Sequence, residues 1–187
     1  VEDAKVAINR FVQHEYGNWF KVADGIEAMF TDAGHIIGSA CVHLKVTENG
    51  KTKRVTFSGD IGRYRDVILK SPQEFPQADV IIMESTYGNS LHDNAMSTPD
   101  QLLKWIIRAC LEKKGKLIIP AFSVGRTQEI LYDLNQLELE RRLPDLDYFV
   151  DSPLSIEATQ IVKSYPDLFN SRIQKILKSD NDPFGFK

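Results

Sequence analysis

The ten residues Thr31-Asp32-Ala33-Gly34-His35-Ile36-Ile37-Gly38-Ser39-Ala40 constrain the fold of this chain more than any other stretch. They lie where one run of alternating apolar residues ends and another begins, and they set a histidine between two glycines. Glycine lets the backbone turn sharply and approach a ligand closely. The segment therefore reads as a tight connection between two extended runs, able to aim an imidazole nitrogen at a metal instead of packing it into a core. Before it, Ile26, Ala28 and Phe30 alternate with polar neighbours. After it, Cys41-Val42-His43-Leu44-Lys45-Val46 alternates again.

Hairpins fill most of the first half. Trp19-Phe20-Lys21-Val22 leads through the turn Ala23-Asp24-Gly25 into the Ile26 run. The Cys41 run turns at Glu48-Asn49-Gly50 and returns through Arg54-Val55-Thr56-Phe57, with Asn-Gly the strongest local cue for such a turn. Apolar residues at Ala4, Ala7, Ile8, Phe11 and Val12 predict a helix over 3–15. Asp79-Val80-Ile81-Ile82-Met83 predicts a short buried strand that delivers Glu84 at its carboxyl end. His43, flanked by apolar neighbours, is expected to face solvent or a covering helix.

The pattern changes near residue 97, which separates an expected first domain, 1–97, from a second, 98–187. Thr98-Pro99-Asp100-Gln101 has the form of a helix start, with a capping box and a proline at the first helical position. The helix continues through Ile106 and Leu111 to Gly115. Strands are predicted at 116–120 and 147–150, with helices through Ile130, Leu131 and Leu134 and through Ile156, Ile161 and Val162. Strands alternating with helices predict a small parallel sheet with crossovers.

Composition narrows the function classes. At 187 residues, with 42% hydrophobic and 26% charged residues, the chain can bury a real core. No apolar run approaches the ~18 residues of a membrane span, so no membrane partner is expected. A net charge of −3 argues against indiscriminate nucleic-acid binding over the whole surface but leaves room for a local phosphate track. The basic clusters Lys51/Lys53/Arg54, Arg63/Arg65 and Lys113/Lys114/Lys116 each read, alone, as solvated runs. Cys41 and Cys110 read as buried free thiols, which fits a reducing compartment; a cytoplasmic location is the expectation.

Two acidic signals follow the glycine-flanked histidine: Ser58-Gly59-Asp60-Ile61-Gly62-Arg63 and Glu84-Ser85-Thr86-Tyr87-Gly88-Asn89. A carboxylate at a strand end can bridge two cations, and a neutral imidazole adds a nitrogen. Hydrolytic zinc centres use such donors and keep a position open for water. From spacing alone, a histidine and an aspartate such as His35 and Asp60 more often cap turns or satisfy backbone groups, and Glu84 could cap a strand end. Further on, a small-residue loop after Pro120 opens a helix at about Gly125. Its N–H groups and dipole, with Ser123 and Arg126, suit an anion. A well-capped connection accounts for the same residues as well. Both the P-loop and the dinucleotide glycine spacings are absent.

Taken in order, the Thr31–Ala40 string, Ser58-Gly59-Asp60 and Glu84-Ser85-Thr86-Tyr87-Gly88 resemble the metallo-β-lactamase superfamily. More narrowly, they resemble its β-CASP branch of RNA-processing nucleases, which includes the mRNA 3′-end cleavage endonuclease. Ile119-Pro120-Ala121-Phe122-Ser123-Val124-Gly125-Arg126-Thr127-Gln128-Glu129 and Asp151-Ser152-Pro153-Leu154 are similar to segments of the β-CASP domain. The resemblance implies an α/β fold: part of a metallo-β-lactamase αβ/βα sandwich joined to part of an inserted Rossmann-like β-CASP domain. It implies that His35 and Asp60 are metal ligands, Asp60 bridging two zinc ions, and that Glu84 orients a histidine near the leaving group. It implies that Ser123, Gly125 and Arg126, with Asp151 and Ser152 at the next strand end, bind the phosphates of single-stranded RNA.

A His-x-His-x-Asp-His cluster, expected upstream of His35 in that family, does not occur, and neither do two downstream histidine motifs. The expectation is an internal fragment of a longer zinc-dependent nuclease, inactive alone and binding zinc weakly if at all, since catalytic zinc needs three or more protein ligands. A non-catalytic RNA-binding paralogue and a DNA-repair nuclease of the same superfamily are the alternatives.

Overall fold

A computed structural model describes residues 2–90, 98–178 and 182–185. Its elements run α1 (Glu2–Ile8), β1 (Phe20–Ala23), β2 (Ile26–Asp32), β3 (Ala40–Glu48), β4 (Lys51–Phe57), β5 (Val80–Ile82), α2 (Thr98–Ile106), a π-helical segment (Ile107–Glu112), α3 (Arg126–Leu139), α4 (Pro153–Lys163), a 3-10 turn (Pro166–Leu168) and α5 (Ser171–Lys178). This is a mixed α/β chain. It divides into two compact units: Val1–Gly34, Gly38–Gly62 and Pro72–Glu84 form one, and His35–Ile37, Arg63–Ser71 and Ser85–Lys187 form the other. The boundary expected near residue 97 falls in 91–97, outside the described residues, as does His92.

The first unit is built on one five-stranded sheet in the order β1-β2-β3-β4-β5. Both predicted hairpins form. Asn49 and Gly50 carry φ of 51° and 72°, the left-handed pair that a two-residue turn between twisted strands requires. At the other turn, Gly25 lies so close to β3 that an added Cβ would sit 2.6 Å from the Thr47 carbonyl oxygen. β2 and β4 each run antiparallel to β3, whereas β5 pairs with β4 in parallel, Phe57 opposite Ile82. Hence β2, β4 and β5 all point the same way, and their carboxyl ends leave from one edge of the sheet.

Three expectations for this unit are corrected. The helix stops at Ile8 and none of its residues is buried; Phe11 and Val12 are exposed. A short amphipathic stripe holds as helix only where its apolar face meets a partner. β5, the edge strand, is exposed at Val80, Ile81 and Ile82 instead of buried, because side chains point to the two faces of a sheet and neither face is covered there among the described residues. His43 is buried, with Nε2 2.8 Å from Thr31 Oγ1 and Nδ1 2.8 Å from Thr56 Oγ1. It shares a sheet face with Thr56, its partner on β4, and packs against the Phe75 ring in a T-shaped contact.

The second unit is mainly helical. Its core gathers Ile68, Leu131, Tyr132, Val162, Phe169, Ile173 and Phe184. The helices predicted around Leu131 and Val162 are present as α3 and α4. Ile156 and Ile161, however, face out. The helix begun at Thr98 widens after Ile106, where the Lys113 N–H reaches the Arg108 carbonyl five residues back, the spacing of a π-helix. The strands predicted at 116–120 and 147–150 lie outside regular secondary structure, and Ile118 and Phe149 are exposed. A strand is defined by its ladder partner, and among the described residues these segments have none. Of the two thiols, Cys41 is buried and Cys110 half-buried; both are free. Among the described residues, no helix is long and apolar enough to cross a membrane.

Candidate functional site

The loop that carries His35 joins β2 to β3. Asp32 pairs with Ala40, and the Ala33 N–H donates to the Ser39 carbonyl at 3.2 Å, closing the base of the loop. Gly34 and Gly38 have φ of 62° and 83°, so both glycines take the left-handed backbone that justifies their presence. Asp32 tightens the exit further: its Oδ1 accepts from the Gly34 N–H at 2.8 Å, and its own N–H donates to Gln73 Oε1 at 2.7 Å. His35, just beyond Gly34, is exposed and groups with the second unit.

The segments carrying Asp60 and Glu84 follow neighbouring parallel strands and are hydrogen-bonded to each other. Glu84 Oε1 accepts from the Ile61 N–H at 2.8 Å, and the Glu84 N–H donates to Ser58 Oγ at 3.1 Å. The Ser58 N–H donates to the Ile82 carbonyl at 2.9 Å, and the Gly62 N–H to the Ala33 carbonyl at 2.8 Å. Residues 58–62 are therefore fastened on both flanks of Asp60, while Asp60 itself stays exposed. Glu84 gains a part that sequence reasoning missed: it buckles the Asp60 loop. No local pattern could have signalled it, since the bond spans 23 residues.

In the second unit the residues expected to meet phosphate surround the start of α3. Gly125 (φ 89°) donates its N–H to Gln128 Oε1 at 2.7 Å, and the Thr127 N–H donates to the Phe122 carbonyl at 3.3 Å. Two of the N–H groups expected to face an anion are thus occupied within the turn. The Gln128 amide ties the loop down by donating to the Ser123 carbonyl (3.0 Å) and to Thr159 Oγ1 (2.8 Å). Arg126 is exposed, and its Nη1 lies 2.5 Å from Glu129 Oε2. One turn on, burial first and then Glu129 push the Asp133 carboxyl up to about 6, with Arg126 opposing. Ser152 Oγ accepts from the Ser155 N–H at 3.2 Å and caps α4, with Pro153 in its first turn; Asp151, beside it, is exposed.

A family model described as Beta-Casp domain matches residues 127–187. The chain is 33% identical over 186 residues to an RNase J-like protein of Methanocaldococcus jannaschii, covering 98% of this chain and 43% of the relative. It is 33% identical to a ribonuclease of Thermus thermophilus, covering 98% and 41%. It is 30% identical to the endoribonuclease YSH1 of Kluyveromyces lactis, covering 100% and 24%. The chain belongs to the β-CASP branch of the metallo-β-lactamase superfamily. It spans less than half the length of these β-CASP relatives, which carry ribonuclease names.

His35 and Asp60 fit a zinc ion in kind, as imidazole and carboxylate donors. In number they fall short: among the described residues no group of three or more histidine, cysteine, aspartate or glutamate side chains could hold a metal.

Proposed function

We propose that this chain is part of an RNA-processing nuclease that hydrolyses phosphodiester bonds with metal-activated water, and that by itself it is inactive. The observation that carries the reading is the shared polarity of β2, β4 and β5, with the Asp60 loop bolted to Glu84 at the outlet of two of them. Like-directed strands deliver the loops that follow them to the same end of the sheet. Zinc is the proposed ion and His35 and Asp60 its donors from this chain; when bound, it lowers the pKa of a water to about 7.

Within the chain's own residues, the Glu84–Ile61 hydrogen bond anchors the backbone of the loop that carries Asp60. Glu84 is also proposed to orient a histidine near the leaving group. Arg126 and Ser123, with Gly125, Asp151 and Ser152, are proposed to seat the backbone of single-stranded RNA. A cytoplasmic location is proposed with it.

The test is cleavage of labelled RNA and labelled DNA of equal length by the longer protein containing this chain, beside its Asp60→Ala variant. RNA cleavage that the substitution lowers by three or more orders of magnitude, about 4 kcal/mol of barrier, is the expected result. Equal activity in both proteins removes Asp60 from the mechanism. Cleavage of DNA alone replaces the RNA reading.

A further inference from the structure

We propose that Arg63 is a second phosphate-binding residue, and that the carboxylate of Glu129 joins it to Arg126 as one two-point grip on a nucleic-acid backbone. The inference rests on the reading of Arg126 as a phosphate ligand and extends it to a residue of a different segment. Arg63 Nη2 lies 2.7 Å from Glu129 Oε1, and Arg126 Nη1 lies 2.5 Å from Glu129 Oε2. One carboxylate thus gives one oxygen to each guanidinium. The Glu129 side chain is 19% exposed, whereas those of Arg63 and Arg126 are 61% and 55% exposed. The acid sits beneath and the two cations face outward.

Arg63 is steadied from a second side. Its Nη2 is 3.4 Å from Asp66 Oδ2, on a side chain only 7% exposed. Asp66 is itself rigid, because its Oδ1 accepts from the N–H groups of Ile68 and Leu69 at 2.9 Å each. A guanidinium carries five N–H donors, and these contacts use Nη2 of Arg63 and Nη1 of Arg126. The other nitrogens of each fork remain to meet phosphate oxygens in the bidentate manner that arginine favours. Exposed arginine–carboxylate pairs contribute little to stability. What the bridge does supply is preorganisation: two flexible side chains are already ordered before a ligand arrives. Glu129 is the positioning residue of the pair. In sequence, Arg63 follows Asp60 by three residues and Arg126 opens α3.

The experiment is fluorescence anisotropy of this chain with a short labelled oligouridylate across a range of salt, for the unsubstituted protein, Arg126→Ala, Arg63→Ala, Arg63→Lys and Glu129→Gln. Arg63→Ala should weaken binding several-fold and shrink the log–log salt slope by about 0.7, one single-strand phosphate contact. Arg63→Lys should recover the slope and only part of the affinity, since the charge returns without the fork. Glu129→Gln should also weaken binding, although it removes a negative charge that would otherwise repel RNA. If Arg126→Ala weakens binding while Arg63→Ala changes neither affinity nor slope, the inference fails and the reading of Arg126 stands. Tighter binding by Glu129→Gln likewise overturns it, because the carboxylate would then only repel. Arg126→Ala without effect, or no binding by the unsubstituted chain at low salt, sinks the reading beneath it as well.

Discussion

His43 shows how one buried polar side chain can hold a sheet together. Each ring nitrogen meets a threonine hydroxyl, one on β2 and one on β4, so the imidazole links the two strands that flank its own. Burial pushes its pKa below the ordinary 6.5. The unfolded chain therefore takes up the proton first as pH falls. His43's contribution to stability is complete above about pH 6.5 and is lost progressively below it. His43→Ala should cost about 2–4 kcal/mol at neutral pH, through the cavity and the loss of hydrogen bonds to two threonine hydroxyls, and should flatten the acid side of the stability curve. Urea unfolding followed by Trp19 fluorescence in a Trp105→Phe background measures this for the sheet. A loss below about 0.5 kcal/mol, the range of ordinary surface changes, would show that the imidazole is not a brace.

Among the elements, α3 carries the densest local logic. Its entry is a glycine at φ 89°, where an added Cβ would lie 3.3 Å from Ile36 Cγ2. Its third residue, Gln128, reaches back to the Gly125 N–H and the Ser123 carbonyl and across to Thr159 on α4. Gly125→Ala combines backbone strain with a close contact and should destabilise the second unit by about 1–3 kcal/mol. Thermal unfolding monitored by Trp105 checks it, and an unshifted melting temperature would mean the turn relaxes without cost. The Gly-Arg start of this helix was legible in the sequence. The second acid–base contact of Glu129 was not, because Arg63 lies 66 positions away.

For the whole molecule, the donor count sets the expectation for metal. With two proposed ligands in a chain that spans less than half of its relatives, calorimetric titration with zinc should give weak binding without a defined stoichiometry. Tight one-to-one uptake would refute the view that further donors are required. What the sequence determined by itself is whatever a few neighbouring residues decide. Asn49-Gly50 needed a left-handed turn, Gly34 and Gly38 bracketed a loop at His35, and Thr98-Pro99 began a helix. Each depends on φ preferences and hydrogen bonds that close within several positions. The motifs spaced along the chain also carried the family, because their order survives without any knowledge of contacts. Tertiary structure alone decided which extended runs became strands, that His43 turned inward, that Glu84 holds the backbone of a distant segment, and that Glu129 meets Arg63. In each case the stabilising partner comes from chain far away in sequence, and a ladder, a buried imidazole or a shared carboxylate exists only once that partner has arrived.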